Sequence, residues 1–218
     1  MKNSSSNLRI ALLSSLIAIS ILGCSTNNSE RGGVNEPNRS GKDIALQTCA
    51  MCHGSTGVSI SPEFPKLAGQ QKDYLMTQLI DFKGHQRKDP EGEAYMWGNT
   101  HLTPTQIQEL SNYFSSQTPM QGQANNRLNL ARGELIFKFG LPDSSVISCA
   151  ACHGEKGEGN GIFPRIAGQH AHYLVAQIKV FQKTEERPHG APMKQVTHDL
   201  QDADIEAVAN YIASMNPM

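Results

Sequence analysis

This sequence of 218 residues has few aromatic side chains, no excess of positive charge, and little alternation of apolar with polar residues. Phe, Tyr and Trp make up 6% of the chain, so a small domain built from it would bury little apolar surface by itself. The 19 basic residues are outnumbered by 20 acidic ones, which excludes the basic footprint of a nucleic-acid-binding protein. No alternating run is convincing enough to predict a β-sheet, whereas helical spacing recurs, so we expect an all-α fold.

Spare cysteines are also absent. Of the five cysteines, one ends an apolar N-terminal run and four form two copies of the pattern Cys-x-x-Cys-His, at 49–53 and 149–153. No cysteine is left for a structural disulfide elsewhere, although an exported protein would be free to use one. The chemistry of the chain is therefore expected to centre on the two repeated motifs.

The N-terminus predicts a secretory signal over residues 1–23. Two basic residues and no acidic ones accompany the apolar run over 10–22, which is too short for a stable membrane-spanning helix. Gly23 directly before Cys24 resembles a bacterial lipobox, in which the cysteine becomes a lipidated N-terminus; an ordinary signal peptide with an incidental cysteine is the alternative. A polar, flexible tether over 24–40 follows. We expect an exported, periplasm-facing protein anchored to the inner or the outer membrane, with a formal charge of −3 once the signal is removed.

The rest of the chain is an internal duplication. Residues 65–83 align without gaps with 164–182, and eight of the 19 positions are identical. The repeat of about 100 residues is too long for a solenoid unit and suits one small domain. We therefore predict a first domain over 41–117, a polar linker over 118–129 and a second domain over 130–218.

Each copy is predicted to contain the same three helices. A short helix precedes each Cys-x-x-Cys-His motif, over Lys42–Cys49 in the first copy and Leu130–Phe139 in the second. A middle helix follows, with apolar residues at helical spacing in 74–82 and in 173–181. The last helix of the first copy begins near Thr103, an N-cap followed by proline at the first helical position. Such small helical domains need an additional apolar group at their centre.

Cys-x-x-Cys-His suits covalent attachment of haem for a geometric reason. On a helical turn, residues three apart face the same side, so both thiols can reach the two vinyl groups of one porphyrin, and the adjacent histidine can present a ring nitrogen to the iron. Two bound haems would also supply the apolar mass that the domains lack. A thioredoxin-like dithiol would need a βαβ context, and a zinc site shared by the two motifs would have to bridge about 100 residues.

Each copy has one methionine in the stretch between its middle and its last helix, which is predicted to be a loop. Met193 lies seven residues before Leu200, and Met96 lies six residues before Leu102. A methionine in a loop usually fills apolar space, but one in each loop facing a haem motif favours ligation of the iron. His101 is close enough in sequence to be an alternative ligand in the first copy.

Other polar residues have open roles or none. Arg87 and Arg187 follow the middle helices at matching places, either to pair with haem propionates or to lie in solvent. Single histidines in polar surroundings are more often solvated than functional. Five of them are assigned no role: His85, His170, His172, His189 and His198.

The two motifs, each followed by a P-x-x-A-G-Q…Y-L…Q…F segment and a methionine, resemble the dihaem cytochrome c4 family over essentially all of 41–218. The resemblance implies two tandem class I cytochrome c domains, each wrapped around one covalently bound haem c. It implies thioether bonds to Cys49, Cys52, Cys149 and Cys152. It also implies His53 and His153 as proximal ligands, Met96 and Met193 as distal ligands, and Pro65 and Pro164 as residues whose carbonyls orient the histidines.

By the same resemblance the chain is expected to carry electrons in a periplasmic respiratory chain, from a quinol-oxidising complex to a terminal oxidase, and not to act as an enzyme. Histidine and methionine ligation raises the reduction potential of a haem and leaves no vacant position on the iron. Two alternatives stay open: a dihaem enzyme, such as a peroxidase or an oxidoreductase of a small inorganic substrate, and a haem subunit of a membrane oxidoreductase complex.

Overall fold

The computed structural model describes residues 37–119, 121–123, 129–183 and 185–216, which belong to a single compact unit. The predicted signal peptide, Cys24 and most of the tether lie outside these residues. Within the described ranges the regular structure is helical, and extended pairing is limited to one isolated bridge. The expected all-α class is therefore confirmed. No helix in these ranges is long and apolar enough to cross a membrane.

The first copy begins with a helical segment longer than the predicted Lys42–Cys49. The segment runs from Gly41 to His53 and includes a π-helical turn that ends at Cys49, so the Cys-x-x-Cys-His motif is itself helical. The middle and last helices occur where the spacing predicts them, with a short helix between. The elements are α1 (Gly41–Ile44), the π-helical turn (Ala45–Cys49), α2 (Ala50–His53), α3 (Lys72–Lys83), α4 (Pro90–Tyr95), a 3₁₀ turn (Trp97–Asn99) and α5 (Pro104–Ser115).

The second copy repeats this order of helices. Its first helix has the predicted bounds, and a separate short helix carries most of the motif. A short helix again lies between the middle and the last one. The elements are α6 (Leu130–Phe139), α7 (Ala150–His153), α8 (Ala171–Lys183), α9 (Ala191–Thr197) and α10 (Asp202–Ser214).

The start of α5 follows from its local sequence. Thr103 Oγ1 accepts the N–H of Gln106, and the Gln106 side chain accepts the N–H of Thr103, which completes a reciprocal capping box. Pro104 occupies the first helical position, where its missing N–H costs nothing. These bonds confirm the predicted N-cap.

Each copy has its own apolar core, in which its first helix packs against its last. A glycine permits the close approach in both: a Cβ at Gly41 would lie 2.4 Å from Glu109 Cβ, and one at Gly133 would lie 2.1 Å from the Ala207 oxygen. The first core contains Ile44, Ala45, Leu75, Leu102, Ile107, Leu110 and Phe114. The second contains Ile136, Phe137, Val146, Leu174, Ile178, Leu200, Ile205, Val208, Ala209 and Ile212.

Candidate haem sites

The two Cys-x-x-Cys-His motifs lie on helical turns, as covalent attachment of haem requires. In the first copy Cys49 ends the π-helical turn, and Cys52 and His53 lie in α2 one turn further on. The second motif has the same arrangement around α7. A glycine with positive φ follows each histidine and ends the helix, with φ of 76° and 84°. None of the four motif cysteines is paired in a disulfide.

Both motif histidines are buried and have their rings held by a proline carbonyl. His53 Nδ1 lies 2.8 Å from the Pro65 oxygen, and His153 Nδ1 lies 2.9 Å from the Pro164 oxygen. Because a carbonyl only accepts, Nδ1 carries the proton, and the lone pair lies on Nε2. Burial lowers the pKa of both imidazoles, although the carbonyls act in the opposite direction. A buried, neutral imidazole with a free Nε2 is what a haem iron needs from a proximal ligand.

The environment of the thiols argues against the two competing interpretations of the motif. Burial raises the pKa of Cys49 and of Cys149 to about 11, whereas a reactive dithiol needs a lowered thiol pKa. The described residues form no βαβ unit. In the same residues, no group of three or more His, Cys, Asp or Glu side chains is placed to hold a metal ion, which disfavours a zinc site.

The prediction of a loop is wrong for Met193, which lies in a helix, whereas Met96 lies in a turn. Met193 is the third residue of α9, and Met96 caps the C-terminus of α4. Each is followed four residues later by a buried threonine that holds its carbonyl. Thr197 Oγ1 donates to the Met193 oxygen at 2.7 Å, and Thr100 Oγ1 donates to the Met96 oxygen at 3.0 Å. The shared Met-x-x-x-Thr pattern was visible in the sequence and aligns the two methionines.

The alternative ligand of the first copy is in a different position. The side chain of His101 is exposed, whereas Met96 and Met193 are both half-buried. Thr100, the residue before His101, is fully buried at 0% exposure and donates its hydroxyl to the Met96 oxygen. The environment of Met96 therefore matches that of Met193, and the environment of His101 does not.

Arg87 and Arg187 do not lie in solvent; both are buried where the two copies meet. Arg87 Nε contacts Asp89 Oδ1 at 2.6 Å, and Arg87 also donates to Gln78 and, in the other copy, to Gln177. Burial alone would raise the pKa of Asp89. The guanidinium of Arg87 acts in the opposite direction and the pKa is lowered, so this carboxylate stays ionised. Arg187 donates across the contact to Gln78 at 3.0 Å. Asp89 is thus paired with Arg87, and the nearby charge of Arg187 also lowers the pKa of this carboxylate.

The P-x-x-A-G-Q segments of the two copies bind each other through reciprocal hydrogen bonds. The sequence did not predict this contact. Gln70 Nε2 donates to the Arg165 oxygen at 2.8 Å, and the Arg165 N–H donates to Gln70 Oε1 at 2.7 Å. In the reciprocal contact, Gln169 Nε2 donates to the Lys66 oxygen at 3.0 Å, and the Lys66 N–H donates to Gln169 Oε1 at 2.9 Å. Each glutamine therefore binds the residue that follows the histidine-orienting proline of the other copy.

Lys66 and Arg165, the two basic residues of this contact, are buried against backbone carbonyls. Lys66 Nζ donates to the Gly168 oxygen, and Arg165 donates to the oxygens of Gly69 at 3.1 Å and Ala68 at 2.7 Å. Burial lowers the pKa of Lys66 to about 8 and that of Arg165 to about 10. A basic residue after proline is expected to be exposed, and this is why its place in the contact was missed. Its recurrence in both copies was the available signal.

Two histidines that were assigned no role also join the copies. His189 Nδ1 lies 2.9 Å from Asp81 Oδ2, and His170 Nε2 lies 3.0 Å from the Ser59 oxygen. Asp81 is buried, whereas the His189 side chain is 62% exposed, so this pair lies at the edge of the contact. The two copies are thus joined by a largely polar surface with the arginines and glutamines in its interior.

Comparison with known proteins matches both copies. A family model described as cytochrome c matches residues 39–118 and 130–216. The chain is 36% identical over 170 residues to a cytochrome c-552 of Acidithiobacillus ferridurans, covering 77% of this chain and 73% of that protein. It is 36% identical over 181 residues to a cytochrome c4 of Stutzerimonas stutzeri, covering 78% of this chain and 86% of that one.

A further relative and a solved structure extend these matches. The chain is 32% identical over 175 residues to a Thiomonas intermedia protein named thiosulfate dehydrogenase electron acceptor, covering 77% of this chain and 78% of that protein. The crystal structure of reduced recombinant cytochrome c4 from Pseudomonas stutzeri superposes with a TM-score of 0.71 at 33% identity. That match covers 84% of this chain and 100% of the other.

Proposed function

Because the chain belongs to the cytochrome c family, and within it to the dihaem cytochromes c4, we propose that it carries single electrons between partner proteins of a periplasmic respiratory chain. It binds two covalently attached haem c groups, one at each Cys-x-x-Cys-His motif. The observation that carries the proposal is that both copies build the same proximal site, with a buried histidine oriented by a proline carbonyl at 2.8 and 2.9 Å.

The residues of each copy divide the work of holding the group. The thiols of Cys49 and Cys52, and those of Cys149 and Cys152, form the two pairs of thioether bonds. His53 and His153 present Nε2 to the iron, and the proline carbonyls fix the rings and keep the proton on Nδ1. When bound, haem c supplies one-electron chemistry, because its iron is stable in both the ferric and the ferrous state.

Met96 and Met193 are the proposed distal ligands. The threonine that holds each methionine carbonyl supports equivalent positions in the two copies, and the exposure of His101 favours Met96 over it. Histidine–methionine ligation raises the reduction potential of each haem. If His53 and Met96, and likewise His153 and Met193, hold the iron, the protein would leave no coordination position open to a small-molecule ligand, which suits a carrier better than a peroxidase.

Spectroscopy of the purified holoprotein tests this proposal. We expect two covalent haems, low-spin spectra in both redox states, and methionine-to-iron charge-transfer absorption from both sites. Met96→Ala and Met193→Ala should each remove that absorption from one haem only. A high-spin signal in the wild-type protein, with rapid binding of peroxide or another small ligand at one haem, would instead identify an enzyme. Methionine-to-iron absorption from only one haem in the wild type, unchanged in Met96→Ala, together with conversion of one haem to high spin in His101→Ala, would transfer the ligand role to His101.

The proposed location is the periplasmic face of a membrane, with a lipid on Cys24. Support comes from the apolar run over 10–22 and from the Gly23-Cys24 pair, in a segment outside the described residues. Mass spectrometry of the mature N-terminus should find a lipidated cysteine, and Cys24→Ala should release the protein from membranes. A mature chain without lipid that remains membrane-bound would contradict this and favour a stable subunit of a larger complex.

A quinol-oxidising complex is the proposed electron donor and a terminal oxidase the proposed acceptor. A second candidate donor is a thiosulfate dehydrogenase, which is supported by the name of the Thiomonas intermedia relative. Stopped-flow reduction of the oxidised protein by each purified donor separates the two. Fast, saturable reduction by the quinol-oxidising complex alone would support the respiratory setting. Fast reduction only by thiosulfate dehydrogenase with thiosulfate would support the second, and thiosulfate oxidation without any added enzyme would contradict both.

A further inference from the structure

One peptide group in each copy connects its proximal histidine to the other copy. In the first copy the peptide joins Pro65 to Lys66. Its carbonyl oxygen accepts a hydrogen bond from His53 Nδ1 at 2.8 Å, and its N–H donates to Gln169 Oε1 at 2.9 Å. The histidine of the first haem site and a side chain of the second copy are thus bonded to the two ends of a single peptide dipole.

The second copy contains the mirror arrangement. The peptide that joins Pro164 to Arg165 accepts from His153 Nδ1 at 2.9 Å and donates to Gln70 Oε1 at 2.7 Å. Two such chains of hydrogen bonds therefore cross the contact in opposite directions. The corresponding hydrogen-bond distances in the two chains agree to within 0.2 Å, so the duplicated sequence forms the same chain of hydrogen bonds twice.

The acceptor amides of Gln70 and Gln169 are held rigidly. Both glutamines are only 5% exposed, and each also donates its NH₂ group to the carbonyl of the same basic residue whose N–H it accepts. Each side-chain oxygen additionally accepts the N–H of the next residue in its own copy, at 2.8 and 3.0 Å. A two-point contact with the other copy, combined with burial, excludes water as a competing partner for these peptides.

We infer that Gln70 and Gln169 are positioning residues that set the reduction potential of the haem in the opposite copy. A hydrogen bond to a peptide N–H increases the electron density on the carbonyl oxygen of the same group, since bonded chains polarise one another. The oxygen then holds the Nδ1 proton of the histidine more strongly. An imidazole with more anionic character is the stronger donor to iron, stabilises the ferric state and lowers the potential.

This inference rests on the proposed ligation of iron by His53 and His153. Its specific content is that the effect crosses the contact: Gln70 acts on the second haem and Gln169 on the first. A loss of either glutamine should therefore raise the potential of the haem in the other copy. The polarising share of one neutral hydrogen bond corresponds to roughly a 1.1- to 2-fold change in the equilibrium constant for reducing that iron.

Haem-resolved redox titration of the variants Gln70→Met and Gln169→Met tests the inference. Methionine keeps the length and apolar bulk of the side chain and removes the amide. We expect Gln70→Met to raise the potential of the second haem and leave the first unchanged, and Gln169→Met to do the opposite. In the ferrous protein, the Nδ1–H proton resonance of the affected histidine should move to higher field. Gln71→Met is the matched control, because it removes a contact to the Glu158 oxygen in the other copy that involves neither prolyl peptide.

Equal shifts of both haems in either variant, a shift of the haem in the same copy, or no shift at all would overturn the inference. Where Gln70→Met does not fold, Gln70→Glu provides the test. Its carboxylate keeps an acceptor for the Arg165 N–H. Relative to wild type, the potential of the second haem should fall more than that of the first. A larger change at the first haem would contradict the inference. If the wild-type protein does not show the spectrum of histidine–methionine ligation, a different proposal fails, because that result would reject the proposed ligands themselves.

Discussion

The two copies agree closely around the proximal histidine and differ around the contact between them. The distances from His53 to Pro65 and from His153 to Pro164 differ by only 0.1 Å, and both peptides after the prolines bond to the other copy. The acidic groups of the contact are not duplicated. Asp89 lies two residues after Arg87, but the corresponding position in the second copy, two residues after Arg187, is a histidine.

Asp81 shows the same asymmetry, since the gapless alignment places Val180 at the matching position. Both buried carboxylates of the contact therefore belong to the first copy, at 2% and 0% exposure. Duplication preserved the residues that build each haem site, whereas divergence changed the acidic residues of the contact. The difference suggests that the contact, more than the haem motifs, distinguishes one copy from the other.

The largest expected effect comes from removing Asp89, the buried carboxylate that pairs with Arg87. Asp89→Asn keeps the shape of the side chain but leaves Arg87 buried without its negative partner, and breaking such a pair costs about 3–5 kcal/mol. Denaturant unfolding of the holoprotein measures the loss. Asp204→Asn is the control, because its partner Arg132 is 49% exposed and the pair should be worth less than about 1 kcal/mol. Equal losses in the two variants would show that the buried pair has no special weight.

A smaller effect on the free energy of unfolding is expected from the buried Lys66, and this effect depends on pH. The pKa of Lys66 is lowered to about 8 from its ordinary value of 10.5. Between these values the folded protein has released the proton while the unfolded chain still binds it, so the free energy of unfolding rises with pH. Relative to Lys66→Met, the wild-type protein should gain on the order of 2 kcal/mol across this window.

Arg165 gives the comparison for this pH experiment. Its pKa is lowered only to about 10, so it keeps its proton in the folded protein up to that pH. The difference in unfolding free energy between wild type and Arg165→Met should therefore be independent of pH from 7 to 9. A rise of the Arg165 difference over that range, or a flat Lys66 difference from pH 8 to 10.5, would contradict the assignment.

The smallest effect tests whether the two methionines are equivalent. Thr100→Val and Thr197→Val each remove one hydrogen bond to a methionine carbonyl, which should cost about 1 kcal/mol of stability. Each variant should also perturb the methionine-to-iron absorption of its own copy alone. Perturbation of one haem in Thr197→Val with none in Thr100→Val would mean that Met96 does not occupy the position of Met193.

The haem-attachment residues and the helices were predictable from the sequence because they depend on contacts between near neighbours in the chain. The spacing of Cys49 and Cys52 sets the position of two thiols on one turn, and Thr103 with Gln106 sets the start of α5. The short helices α4 and α9 were missed, and Met193 was wrongly predicted to lie in a loop. These helices have too few residues to show a periodic pattern.

The sequence by itself therefore determined the all-α class, the two repeated motifs and the residues suited to hold haem. Only the tertiary structure decided what Lys66, Gln70, Arg165 and Gln169 do. Their hydrogen bonds join residues 95 to 103 positions apart, and no local spacing predicts which surfaces of two similar copies will meet. Burial of two charged side chains against carbonyls becomes favourable only once the second copy has displaced the water around them.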